Sequence, residues 1–113
     1  MRNGLATLLL VISLGVFQSA QAQTANEETY SRYHQAIEAA RLCRDLTFDQ
    51  AQMDRMSAVI SAAIGNDIGA KRLSLLSQAK RDARDLVDKK GCQSPEVQQL
   101  LALYDSDLAP VVQ

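Results

Sequence analysis

Four groups of residues in this 113-residue chain have the types and spacing to do chemistry. The first is the pair of cysteines, Cys43 and Cys92, the only two in the sequence. A metal site or a catalytic thiol finds no support, because Cys-x-x-Cys spacing is absent and no histidine sits near either residue in the sequence. An even count in a short chain bound for an oxidising compartment favours a disulfide, and only one pairing is possible here. The second is His34, the single histidine, set between Tyr33 and Gln35 with Glu38 one turn on. Its type suits proton transfer or metal ligation, but no partner nucleophile can be identified, and the expected role is a partly exposed side chain paired with Glu38. The third, Asp105-Ser106-Asp107, has the opening of a calcium loop without its glycine or distal glutamate, so no metal is assigned.

The fourth is a charge asymmetry. Residues 71–90 hold Lys71, Arg72, Lys80, Arg81, Arg84, Lys89 and Lys90 against Asp82, Asp85 and Asp88, a balance of +4, while residues 23–70 and 91–113 each carry −3. Such polarity can be a solvated face whose charges pair along the helix, as Asp85 can with Lys89. It can also meet an acidic partner or anionic lipid headgroups, and Lys71, Arg72, Lys80, Arg81 and Arg84 are the candidate partner-binding residues. Met53, Met56 and Phe48 form a stripe that is either ordinary core or an adaptable apolar surface, and Tyr30, Tyr33 and Tyr104 are amphipathic candidates for the rim of a pocket. The Gly-x-Ser-x-Gly turn, the phosphate-cradling glycine loop, the His-Glu-x-x-His helix and the haem-attaching Cys-x-x-Cys-His are all missing. The expectation is a protein that is not an enzyme and carries no cofactor.

These residues need elements to position them, and the chain opens with a segment that does not contribute any. Arg2 supplies a positive start, Leu5 to Phe17 is a 13-residue apolar run broken by Thr7, Ser13 and Gly15, and Ala20-Gln21-Ala22 ends in small residues. That is the pattern of a cleavable secretory signal peptide over residues 1–22, and its apolar run is shorter than the ~20 residues a spanning helix needs. Cleavage leaves a single domain over residues 23–113 with net charge −2, too balanced for a nucleic-acid binder. No second apolar run long enough for a bilayer follows. A soluble exported protein, periplasmic or secreted, is expected.

Within 23–113 no strand alternation appears, so the fold is expected to be all-α. Thr24-Ala25-Asn26-Glu27 is a capping box opening a helix with Tyr33, Ala36, Ile37, Ala40 and Cys43 on one stripe. Thr47-Phe48-Asp49-Gln50 is a second box, with Leu46 stapling onto Ala51, before a stripe of Met53, Met56, Ile60, Ala63 and Ile64 that Gly65 closes. Asn66 or Asp67 can cap a third helix with Leu73, Leu76, Ala79, Ala83, Leu86 and Val87 inward, ending at Gly91. Ser94-Pro95-Glu96 starts a fourth, with Val97, Leu100, Leu101 and Tyr104 on one face, extended by Leu108 and ended by Pro110.

Short connections predict a small four-helix up-down-up-down bundle, the fourth helix covering the groove left by the first three. In that order Cys43, near the end of the first helix, and Cys92, just past the third, fall at one end. With the opposite parity they would stand about a helix length, ~25 Å, apart, against the roughly 4.4–6.8 Å a disulfide allows between Cα atoms. Taken together, the residues predict an exported, non-catalytic helical protein that binds a protein partner or serves as an interaction module in the cell envelope. The alternatives from other classes are an acid- or stress-activated envelope chaperone (holdase) and an inhibitor of a secreted hydrolase.

Overall fold

The structure, a computed structural model, describes residues 24–65 and 68–113. The leader with its cleavage motif, and the helix caps expected at Asn66 and Asp67, lie outside the described residues. Four helices follow one another, α1 (Ala25–Arg44), α2 (Gln50–Ile64), α3 (Arg72–Lys90) and α4 (Pro95–Leu103), with no strand among the described residues. None of these helices is long and apolar enough to cross a membrane.

The helix starts show how local chemistry sets the boundaries. At α1 the Thr24 hydroxyl accepts the Glu27 N–H at 3.1 Å, and the Glu27 carboxylate accepts the Thr24 N–H at 3.3 Å. At α2 the same reciprocal pair is made by Asp49 and Gln52, at 2.8 and 2.9 Å, two residues later than the box expected at Thr47. A carboxylate is the stronger acceptor and also complements the positive end of the helix dipole, so Asp49 wins over Thr47. The shift moves the staple positions flanking the cap from Leu46 and Ala51 to Phe48 and Met53. Helix α3 has no side-chain cap and grows instead out of a 3₁₀ turn, Gly69–Lys71. Gly65 closes α2 with φ 66° and Gly91 follows α3 with φ 86°, conformations that a side chain disfavours. Ser94 and Pro95 open α4 as expected.

Pro110 does not end the fourth helix. The chain continues from Leu103 through a π-helical stretch, Tyr104–Leu108, into a final turn, Ala109–Val112, with the Ala109 N–H donating to the Tyr104 carbonyl. Proline lacks the N–H for the ordinary helical bond and its ring crowds the carbonyl four residues back. The wider π turn accommodates that missing bond one turn ahead.

Helix α1 is the central element. Lys71 at the start of α3 pairs with Glu27 (3.1 Å), Arg84 pairs with Glu38 (2.8 Å), and Cys92 is joined to Cys43 with Cα atoms 5.7 Å apart. The three ties occur in the same order along both helices, so α1 and α3 run parallel, with α2 as the return crossover between them. Helix α4 packs on α1, held by Tyr33 Oη donating to Asp107 (2.6 Å) and by Arg44 on Asp105 (2.9 Å). Its end reaches the first turns of α2, where Arg55 and Gln52 donate to the Val111 and Val112 carbonyls. Met56, Ile60, Val97, Leu100 and Leu108 are the largest fully buried side chains.

Two differences from the expected packing matter. Helices α2 and α3 are not neighbours: none of their Cα atoms approach within 8 Å, although both lie against α1. The fourth helix does not fill the gap between them, and the groove over α1 stays open. Second, two residues expected inward face solvent, Ala63 and Leu73, the latter 76% exposed. Leu73 stands about 90° around the helix from the stripe of Leu76, Ala79 and Ala83 that meets α1, at ~100° per residue.

Candidate functional site

The open groove between α2 and α3 is a cleft of about 450 Å³. Its floor is apolar: Ile37 from α1, Met53 and Ile60 from α2, Leu76 from α3, and Phe48 from the α1–α2 connection. Its polar lining comes from Tyr30, His34, Glu38 and Arg41 on α1 and from Arg72 and Lys80 on α3, with the Ser57 and Thr47 hydroxyls on the α2 side. Helical periodicity explains the grouping: Tyr30, His34, Glu38 and Arg41 are successive turns of one face of α1, and Arg72, Leu76 and Lys80 stand four apart on α3.

His34 is buried, 9% exposed, not partly exposed as the sequence suggested. Its ring packs on Tyr30 with centroids 4.5 Å apart. It is not Glu38's partner, because Glu38, 3% exposed, is taken by Arg41 at 3.3 Å and Arg84 at 2.8 Å. Burial, helped by the positive fields of Lys80 and Arg72, pushes the imidazole down from 6.5 to about 4, so His34 is neutral at pH 7. Burial likewise raises the Tyr30 phenol above its ordinary value, against the opposing pull of Arg72, whose guanidinium lies 5.4 Å from the Tyr30 ring centroid.

The five basic residues singled out on α3 divide by role. Lys71 is committed to Glu27, whose carboxyl that hydrogen bond holds below the usual range. Arg84 is committed to Glu38, and Arg81 donates to Gln78 on its own helix. Arg72 and Lys80 remain: both line the cleft, and among the described residues no acid pairs with either. The sequence places Glu27 in a capping box and Glu38 beside His34, but does not show that both take cations from the α3 region. The available signal was their place on the α1 face opposite a basic helix, which becomes visible once α1 and α3 are known to run side by side.

The other candidates fall elsewhere. Met56 is core, while Met53 and Phe48 line the cleft. Tyr33 and Asp107 are bonded to each other on the α1–α4 face, which lowers the Asp107 carboxyl and raises the Tyr33 phenol. Asp105 is held by Arg44. Among the described residues no three His, Cys, Asp or Glu side chains gather as a metal would require. Compared with protein-family models, with curated proteins and with solved structures, the chain matches none of them.

The chemistry this arrangement offers is recognition. An apolar floor bordered by two cations without counter-ions favours a ligand that is apolar along its length and anionic at one point.

Proposed function

We propose that this chain is an exported, non-catalytic interaction module of the cell envelope, whose binding surface is the cleft between α1, α2 and α3. The leader over residues 1–22 supplies the export signal in this reading, and the Cys43–Cys92 disulfide suits the oxidising compartment it leads to. The observation that carries the reading is the pair Arg72 and Lys80, two cations without acidic partners among the described residues, held over an apolar floor. A partner presents an anionic group to them and apolar surface to Ile37, Met53, Ile60 and Leu76.

The test is a photoreactive amino acid placed at Ser57, on the cleft side of α2, in cells of the native host. Adducts that vanish when Arg72 and Lys80 are both changed to Glu support the reading. Adducts insensitive to that change, together with turnover of a substrate by the purified protein, overturn it. Mass spectrometry of the same material reads the N-terminus, expected at Gln23.

A second reading, an acid-activated holdase, is favoured by one observation: His34 is buried and neutral, and must take up a proton as the surroundings acidify. Suppression of client aggregation at about pH 3, and none at pH 7, is the outcome that would select it.

A further inference from the structure

We propose that the occupant of the cleft is a single-chain fatty carboxylate, its hydrocarbon chain lying on Ile37, Phe48, Met53, Ile60 and Leu76 and its head beside His34, flanked by Arg72 and Lys80. This rests on the cleft being the binding surface, and names what binds there. Charge is the first argument. The one carboxylate lining the cleft, Glu38, is already matched by Arg41 and Arg84, so Arg72 and Lys80 leave the groove with an excess of positive charge at the level of His34. Both line the same cleft as His34, although their Cα atoms stand two turns apart on α3. A monoanion arriving there removes an existing repulsion in addition to making new contacts.

The floor is the second argument. It is built from aliphatic, thioether and aromatic side chains, and the polar atoms on its α2 side are the Ser57 and Thr47 hydroxyls. An extended peptide would bring a backbone N–H and C=O at each residue with only those two hydroxyls on that side to pair them, at a cost of roughly 1–3 kcal/mol for each one buried unpaired. An acyl chain makes no such demand. A helical partner pairs its own backbone, but one turn of it, about 10–12 Å across and ~5.4 Å high, would by itself take up a volume comparable to the whole cleft of about 450 Å³. The cleft of about 450 Å³ lies within the ~300–1,000 Å³ of small-molecule sites. Met53, unbranched and polarizable, suits a chain whose length varies.

The experiment is calorimetric titration of the mature, disulfide-bonded protein with dodecanoate at pH 7, with dodecanol and an acidic-apolar peptide as parallel arms. Dodecanoate is expected to bind one to one, and Arg72→Gln with Lys80→Met to weaken it about tenfold or more, as loss of a charged hydrogen bond would. Dodecanol is expected to bind wild type more weakly than dodecanoate and to be indifferent to those changes. A second measurement follows the His34 ring protons by NMR. The titratable and charged groups lining the cleft with that ring are Tyr30, Glu38 and Arg41 on α1 and Arg72 and Lys80 on α3, with the Ser57 hydroxyl and apolar side chains from α2. Dodecanoate is expected to raise the His34 pKa by about one unit, as an opposite charge at close range does, and the NMR spectrum reports whether the variants are folded. Equal affinity for dodecanol and dodecanoate, or a His34 titration that dodecanoate does not move, overturns the proposal. Binding of the peptide alone, lost in the double variant, overturns it while leaving the cleft as a binding surface; binding of none of the three removes both.

Discussion

The two sides of α3 behave oppositely. Toward α1 it is bound along its whole length, by Lys71 on Glu27, Arg84 on Glu38, the Cys92–Cys43 bond, and two alanines, Ala79 and Ala83, that are buried to within a percent of completely. Toward α2 no Cα atom comes within 8 Å, and the space between the two helices is the cleft. Alanines let helix axes approach to the short end of the usual ~8–10 Å, and the buried acids there take partners from the α3 side, Lys71 for Glu27 and Arg84 for Glu38, which Arg41 of α1 also holds. On the other side Arg72 and Lys80 are too long and too charged to be covered by α2. One helix thus serves as a clamp on one face and as a wall on the other, and residue size and charge decide which.

That contrast can be broken most severely at its covalent end. Replacing both cysteines by serine removes a loop closure of ~50 residues, worth roughly 4 kcal/mol in the chain-entropy model. Urea unfolding should show a midpoint lowered accordingly, and an unchanged midpoint would mean that the α1–α3 seam holds without its bond. The second effect belongs to the cleft wall. His34 falls from 6.5 in the unfolded chain to about 4 in the folded one, so the unfolded chain binds more protons between those values. Stability is full above pH 6.5, is lost as pH drops toward 4 by about 3 kcal/mol in all, and levels off for this group below that. His34→Gln should flatten that window in pH-dependent unfolding, leaving the fall below about pH 4 that belongs to the carboxyls held low by partners, Glu27, Glu96, Asp105 and Asp107. The smallest pair of effects compares the two faces directly. Ala79→Leu overpacks the seam and should cost about 1–3 kcal/mol, whereas Ser57→Leu, placed in the open cleft, should stay within about 0.5 kcal/mol. Equal thermal shifts for the two would mean that the cleft is as tightly filled as the seam.

Much of this architecture was readable from the chain because it depends on local chemistry. Thr24 and Glu27, Gly65, Gly91, and Ser94 with Pro95 mark helix ends through bonds made within a turn. The meeting of Cys43 and Cys92 followed from helix parity and needed no knowledge of packing. The α2 start was misplaced by two residues because Thr47 to Gln52 contains two overlapping boxes, and the choice between hydroxyl and carboxylate acceptors is one of energy, not pattern. The site itself was harder. Apolar periodicity says which face of a helix is buried but not against which neighbour, so the separation of α2 from α3 left no trace in the spacing of Met56, Ile60 and Ala79. His34 reads as partly exposed in the sequence because part of its surroundings, Arg72 and Lys80, comes from α3, some forty residues away in the chain. Arg72 and Lys80 were named among five equivalent cations, and only the pairing of Lys71 and Arg84 with buried acids distinguishes them.

The bond between Cys43 and Cys92 also divides the chain topologically. It closes a covalent ring that contains all of α2 and α3, and leaves α1 and α4 as two arms attached at the same point. A protease that cuts anywhere inside the ring, including the turn between α2 and α3, releases no fragment, and both walls of the cleft stay attached to the rest. A cut in the arm after Cys92 frees α4, whose end braces the first turns of α2. The bond therefore guards the α2 and α3 walls of the groove against a single cut, while the part of the floor that α1 supplies before Cys43 and the brace after Cys92 depend on packing alone.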